Sequence, residues 1–452
     1  MAVHKIKKGL DLPITGAPAQ KISDGPKVTR VAVMNDDYPF MKPRMLVKVG
    51  DQVKRGQPLF EDRKTEGVVF TAPGGGEVVA VNRGERRKLE SVVIALSGDE
   101  GEVQYTHYSG SPVGDVSGEQ ARALLVESGL WTALRQRPFS KVPSPSESCH
   151  SIFVTAMASD PLAPDMDVVM AGRQEQITAG LTVLSKLTEG PVWLCRKPGS
   201  KIDAGGAPRV SVEEFTGPHP AGLPGTHIHT LAPASRTRTA WYLNIQDVAA
   251  IGALFTTGKL DVERVVSLAG PVVKEPKLLR TRLGASTAEL TAGALQGGEN
   301  RIVSGSVLSG HKAQGDVFGY IGRYHQTVSC LAEDRERVFL GWLGPGMDKF
   351  STARAFLSGI FGMGKKFNFT TTTHGSHRAM VPIGMFERVM PLDVMPTFLL
   401  RALIAGDLEQ SEKLGCLELD EEDLGLCSFV SPGKEDYGVI LRKRLTTIWK
   451  EG

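Results

Sequence analysis

The sequence has no long apolar run. Spanning a bilayer takes about 20 consecutive apolar residues, and the best stretch, Thr397 to Ala405, is interrupted by Arg401. The amino-terminal MAVHKIKKGLDLPITG carries positive charge without an apolar core behind it, so it does not read as a secretory signal. Cysteine is scarce. Cys149, Cys195, Cys330, Cys416 and Cys427 are odd in number and scattered, with no two at metal-ligand spacing. That argues against a disulfide framework and suits free thiols in a reducing cytoplasm. An excess of one charge is also missing. The 53 basic and 50 acidic residues create no field favouring nucleic acid or an anionic membrane over other ligands, and both are set aside as primary partners. There is no internal repeat and no low-complexity tract.

What is present is apolar material for several cores: 41% hydrophobic residues in a chain of 452, a length that suits about three or four domains. The most informative stretch is Val49 to Val79, VGDQVKRGQPLFEDRKTEGVVFTAPGGGEVV, where short apolar runs alternate with glycine turns. That is a compact β-barrel pattern. It resembles the biotinyl and lipoyl carrier domain, a barrel-sandwich hybrid that presents a lysine on a hairpin tip. Here Arg63 precedes Lys64, where a carrier has Asp or Met, so Lys64 reads as an ordinary solvated turn residue.

Taken in order, residues 1–37 form an amino-terminal arm, an extended loop lying over a neighbouring domain. Residues 38–100 form the carrier-like barrel. Residues 101–257 alternate helix and strand: a helix between Ser117 and Leu134, a strand over 152–157, a helix over 174–188 and a strand over 191–195. Such alternation predicts a parallel, Rossmann-like sheet. Residues 258–335 read as a small β-rich domain of the ubiquitin-like β-grasp (SLBB) kind, and 336–452 as a connecting segment and a helical carboxy-terminal domain. The fold class is therefore multidomain, α/β and β.

A working nucleotide domain needs a glycine-rich loop at a helix amino terminus, so that backbone amides can approach phosphate. In its place stands Arg135-Gln136-Arg137-Pro138-Phe139-Ser140-Lys141, which reads as a solvated basic loop or as a holder of an anionic head group. Gly359 to Lys366 nearly spells a P-loop, but Lys366 replaces the magnesium-ligating Ser or Thr and a helical segment precedes it. His219, His227 and His229 lie close together without a Cys, Asp or Glu among them and read as loop histidines bonded to backbone, and His374 and His377 are no stronger. Asp420, Glu421, Glu422 and Asp423 read as favourable charge at a helix amino terminus.

The domain order resembles the flavoprotein subunit of complex I and the C subunit of the Rnf complex. Those proteins hold flavin on a glycine-rich loop and a four-iron cluster on cysteines ending in Cys-x-x-x-Cys-Pro. On that frame Cys427 and Ser431-Pro432 match, while Leu424 and Glu421 stand at the two earlier ligand positions. One thiolate in four cannot hold a cluster. This cofactor-stripped scaffold carries KKGLDLPI, ESGLWTALRQRPFSKVP, FTGPHPAGLPGTHIH, RVVSLAGPVV, VSGSVLSG, RAMVPIG and LELDEEDLGLC. With these motifs it is similar to the A-subunit family of the bacterial sodium-translocating NADH:quinone reductase.

The resemblance implies a translocase of six subunits in which NADH and flavins work on other subunits, ubiquinone is reduced and sodium is exported. This chain would be peripheral, held on the cytoplasmic face of the inner membrane by the other five subunits, chiefly the integral ones. No cofactor is expected on the chain itself, and ubiquinone is its possible substrate. A quinone needs an apolar slot and one or two hydrogen-bond donors. Trp131, Arg135, Arg137, Phe139 and Lys141, where the related flavoproteins hold flavin, are the candidates. The competing reading is a docking and assembly module with no ligand of its own.

Overall fold

The computed structural model describes residues 2–335, 339, 343–353, 355–362 and 364–451. Its architecture is mixed α/β with four sheets, two of them in the barrel. Arg30–Met34, Gln52–Val53, Gly76–Arg83 and Leu89–Leu96 form a four-stranded antiparallel sheet. Pro43–Met45, Pro58–Asp62 and Val69–Thr71 form a three-stranded one. Leu59, Phe60, Phe70, Val78, Val92 and Ile94 fill the space between these sheets. The first strand, RVAVM, alternates weakly and lies inside the stretch read as the arm.

The middle of the chain supplies four parallel strands, Ser151–Thr155, Val192–Arg196, Val210–Thr216 and Ala240–Asn244. The inner ones are apolar on both faces because helices cover both sides. Helix Gly118–Ser128 starts at a capping box, Ser117 with Gln120, worth about 1 kcal/mol. It ends earlier than the expected helix because Gly129 adopts φ +76°. Helices Gln174–Leu184 and Ile245–Thr257 cross where two glycines meet. A Cβ on Gly180 would lie 2.0 Å from the Val248 carbonyl oxygen, and one on Gly252 1.9 Å from that of Gln176. Only glycine permits this approach.

The arm is more than a loop. Val3–Lys5 adds a parallel edge strand beside Val210–Thr216, and Ala19–Asp24 adds one beside Lys277–Arg282 in the third sheet. That mixed sheet also contains Glu263–Ala269, Asn300–Ser304, His311–Lys312 and Thr327–Ala332. Helices Pro396–Ala405, Leu408–Lys413, Gly425–Val430 and Tyr437–Glu451 build the carboxy-terminal core around Phe386, Leu399, Leu403, Leu441 and Leu445. Among the described residues, no helix is long and apolar enough to cross a membrane.

Candidate functional site

The stretch expected to be a basic loop is a tight hairpin. Arg135–Arg137 pairs antiparallel with Ala240–Tyr242 at the edge of the parallel sheet. The chain then reverses, so that the Gln136 amide donates to the Lys141 carbonyl at 2.8 Å. Phe139 (φ +80°) and Ser140 (φ +56°) form the turn in the left-handed region that side chains normally avoid.

The five candidates divide into two groups. Trp131 is fully buried, donates its indole N–H to the Pro143 carbonyl at 2.8 Å and packs edge-on against Trp241. Arg135 lies between the Tyr242 and Tyr324 rings, 4.6 and 4.4 Å from their centroids. Arg137 has no solvent exposure; its Nη1 donates to the Glu418 carbonyl at 2.6 Å and to Asp423 Oδ2 at 2.7 Å. These three belong to the interior. Phe139 and Lys141 point instead toward the last helix. Phe139 meets Trp449 and Phe40 at 5.2 and 6.2 Å between ring centroids, and the Lys141 ammonium lies 4.5 Å from the Trp449 ring. Only Trp449, 36% exposed, opens this trio to solvent, since Phe139 and Lys141 are both buried and Phe40 partly so.

The cations are neither solvated nor free, which corrects the reading of a solvated basic loop. Lys141 lies 3.7 Å from Glu147, while Arg135 and Arg137 face the acidic run of the carboxy-terminal domain, whose carboxylates do more than favour a helix terminus. Arg135 lies 3.5 Å from Asp420 and Arg137 3.5 Å from Glu422. From the last helix, Arg442 reaches Asp420 at 2.6 Å and Glu421 at 2.6 Å, and donates to the Phe139 carbonyl at 2.7 Å. Three guanidiniums thus meet four carboxylates. Burial pushes Glu421 and Glu422 above the ordinary carboxylate range, with the Asp420 charge adding to the effect. Burial works in the same direction on Asp420, but its hydrogen bonding with Glu421 and the three surrounding guanidiniums outweigh it and hold Asp420 well below that range.

Of the histidines singled out, His219 and His227 are buried and His229 joins the same interface, while His374 and His377 are exposed. His227 and His229 are on a helix, Pro224–Leu231, not in a loop. His227 is buried, donates to the Ala221 carbonyl at 3.0 Å and is kept neutral by burial, its pKa lowered to about 3. His229 Nε2 accepts from the Asp393 amide at 2.8 Å, which leaves the proton on Nδ1 for Glu418 at 2.8 Å. Arg236 makes a two-pronged bond to Glu412, both contacts at 2.8 Å. The start of this helix also meets the acidic run, since a Cβ on Gly225 would lie 2.2 Å from Asp423 Oδ1.

A cavity of about 50 Å³ lies where the barrel, the parallel sheet and the third sheet meet, beside Tyr38, Phe70, Leu130 and Arg323. It is water-sized. A groove of about 610 Å³ between the barrel and the third sheet is lined by Lys27, Arg55, Glu100, Asp261 and Arg282 among others. Neither touches residues 135–141. The near-P-loop also departs from phosphate geometry: Gly359 sits in the four-residue helix Ser358–Phe361 and Lys365 is bound to Asp348 at 2.7 Å, while Met363 lies outside the described residues. Among the described residues no group of three or more His, Cys, Asp or Glu could hold a metal ion. Cys427, at the position matching a cluster ligand, is buried with its thiol pushed up to about 12, the reverse of what a thiolate ligand needs.

Comparison with known proteins agrees with this layout. Residues 4–97 match the description "NqrA N-terminal barrel-sandwich hybrid domain", residues 116–260 "NqrA second alpha/beta domain", and residues 265–315 "NQRA C-terminal domain". The A subunit of the Na(+)-translocating NADH-quinone reductase of Serratia proteamaculans (strain 568) is 55% identical over 449 residues, covering 99% of this chain and 100% of the relative. The chain belongs to the family of Na(+)-translocating NADH-quinone reductase A subunits. Those of Yersinia pestis bv. Antiqua (strain Angola) and Hahella chejuensis (strain KCTC 2396) are each 55% identical over 448 residues, covering 99% of this chain and 100% of the relative. Among solved structures, an air-oxidized NAD+-reducing [NiFe]-hydrogenase matches 49% of this chain and 49% of its own, at 15% identity and a TM-score of 0.35, too low for any inference about this chain.

Asp420, Glu421, Glu422, Arg442, Phe40 and Trp449 were not among the candidates from the sequence. The only local signal for the acids was the density of four carboxylates in a row. For Arg442, Phe40 and Trp449 there was none, because each acquires its role from a residue far away in the chain.

Proposed function

We propose that this chain is a peripheral subunit of a sodium-translocating NADH:ubiquinone reductase, on the cytoplasmic face of the bacterial inner membrane, and that it contributes to the reduction of ubiquinone to ubiquinol. NADH and the flavins are assigned to other subunits of the six, and the integral ones hold this chain in place. The carrying observation is the aromatic trio of Phe40, Phe139 and Trp449, reached from solvent through Trp449, with the Lys141 ammonium over its indole. Aromatic faces suit a planar quinone ring, and an ammonium donor beside them suits its carbonyl. Arg135, Arg137 and Trp131, the other three candidates, are held in the contacts described above.

The test is titration calorimetry of the isolated chain with a short-tailed ubiquinone. Saturable binding, weakened at least about tenfold in Phe139→Ala, supports the reading. A flat trace from the wild-type chain moves the quinone to other subunits.

The second reading, an assembly module without its own ligand, is favoured by one observation: the chain's own carboxylates already occupy Arg135 and Arg137. Under it, Phe139→Ala complexes assemble and reduce quinone at the wild-type rate. For the architecture we keep the finer assignments of a carrier-like barrel, a Rossmann-like domain (101–257), an SLBB-type β-grasp domain (258–335) and a helical carboxy-terminal domain (336–452), and correct only the boundary between arm and barrel, because strand Arg30–Met34, read as arm (1–37), belongs to the barrel read as 38–100. The parallel strand order and the mixed third sheet support them.

A further inference from the structure

The carboxy-terminal half contains a small lobe that the proposed function does not use. The described residues of 343–367 fold back on themselves: the Leu357 amide donates to the Pro345 carbonyl at 3.0 Å and Lys365 donates to the Met347 carbonyl at 2.9 Å. Phe350 and Phe367 anchor the lobe, Phe350 stacking on Phe429 of the carboxy-terminal core at 6.2 Å. Phe356 packs within the lobe beneath the Lys349 ammonium, and five other large apolar residues turn outward. Ile360 and Phe361, consecutive on the short helix Ser358–Phe361, are 64% and 73% exposed, and Leu343, Met347 and Leu357 are exposed beside them. The charged groups among the described residues of the lobe are Lys349, Lys365 and Lys366 against the single Asp348. The chain-wide balance of charge conceals this local excess.

From this pairing of outward apolar side chains with flanking lysines we infer that the lobe rests on an anionic lipid surface, with Ile360 and Phe361 entering the headgroup boundary. The inference relies on the proposed peripheral, cytoplasmic placement. Apolar side chains that enter the interface and lysines that stay at headgroup level are how interfacial elements bind lipid. Charge selects the occupant. Cytoplasmic loops of integral subunits are themselves enriched in Lys and Arg and would repel the lobe, whereas the cytoplasmic leaflet is negative and attracts it.

The test uses the full chain and sedimentation with vesicles, either of phosphatidylcholine alone or containing about one-third phosphatidylglycerol. The chain should pellet with the anionic vesicles only and be released by salt. Lys366→Ala should weaken binding about fivefold, the factor for one lysine at such a surface, and Ile360→Ser with Phe361→Ser should abolish it. Because these side chains are exposed, an unchanged melting curve checks that the variants fold. A wild-type chain that stays in solution, or variants that pellet as it does, overturns the inference. Copurification of the chain with the complex is read separately. If vesicles fail while copurification persists and is lost in the Ile360→Ser, Phe361→Ser variant, the lobe docks on protein and the lipid inference falls alone. If copurification fails in the wild type, the peripheral placement falls.

Discussion

Arg137→Met tests the junction between the parallel sheet and the carboxy-terminal domain most directly. The guanidinium has no solvent exposure and gives Asp423, itself 3% exposed, its nearest cation at 2.7 Å. Methionine fills similar space without charge. The substitution removes two charge-assisted hydrogen bonds, to Asp423 and to the Glu418 carbonyl, and leaves four carboxylates facing two guanidiniums. Breaking a buried pair from one side costs about 3–5 kcal/mol. The start of helix Pro224–Leu231 lies beside Asp423 in both proteins and cancels in the comparison, so a loss of about 3 kcal/mol, the lower end of that range, is expected. The loss should appear locally, as an opening of residues 416–430, and hydrogen exchange reads it there. Amides of that segment, including Asp423 N–H, which donates to the Asp420 carbonyl, should exchange about a hundredfold faster than in the wild type. Adding Asp423→Leu should restore most of the protection, since an apolar pair in place of a buried ion pair is often neutral. Exchange within about threefold of wild type in Arg137→Met would refute the account and mean that other contacts hold the acidic run.

Two further substitutions probe the same junction. Glu422 has its pKa raised in the folded chain from 4.5 to about 8, chiefly by burial, so the folded form keeps a proton that the unfolded form has lost. Its contribution to stability is full below about pH 4.5 and disappears as pH rises toward 8. Glu422→Gln, neutral throughout, should flatten the decline in stability over that range in a denaturant series, and an unchanged slope would show that Glu422 titrates normally. Gly225→Val places a side chain where a Cβ would lie 2.2 Å from Asp423 Oδ1. It should cost about 1–3 kcal/mol through overpacking and speed exchange in 416–430 while leaving the barrel's protection unchanged.

Features written in local sequence were legible. The glycine turns of Val49–Val79 announced a barrel, the alternation from Ser117 to Cys195 announced a parallel sheet, and the apolar spacing of TFLLRALIAG and YGVILRKRLTTIWK announced helices. Features made by distant residues were not. Arg137 read as a quinone-site candidate in a basic loop and Asp423 as charge favouring a helix terminus, and their pairing went unseen because a cation and an anion 286 residues apart leave no periodic trace. The hairpin at 135–141 was hidden for a related reason: its turn uses Phe139 and Ser140 at positive φ, so no glycine marks it. The candidate site was half legible. Phe139 and Lys141 came from their place in the chain, but Phe40 and Trp449, which complete the aromatic trio, come from opposite ends of it.

The two edge strands supplied by the arm bear on how the protein can be made. Residues 3–5 and 19–24 are translated first, yet their neighbours, Val210–Thr216 and Lys277–Arg282, leave the ribosome some 200 to 260 residues later. Until then the arm has no hydrogen-bonding partner, and the barrel after it can fold while the arm waits. Trimming the first two dozen residues would leave the barrel intact and expose two sheet edges at once. Shortened chains are then expected to fail by edge-to-edge association of otherwise folded molecules, a defect of solubility before it is one of stability.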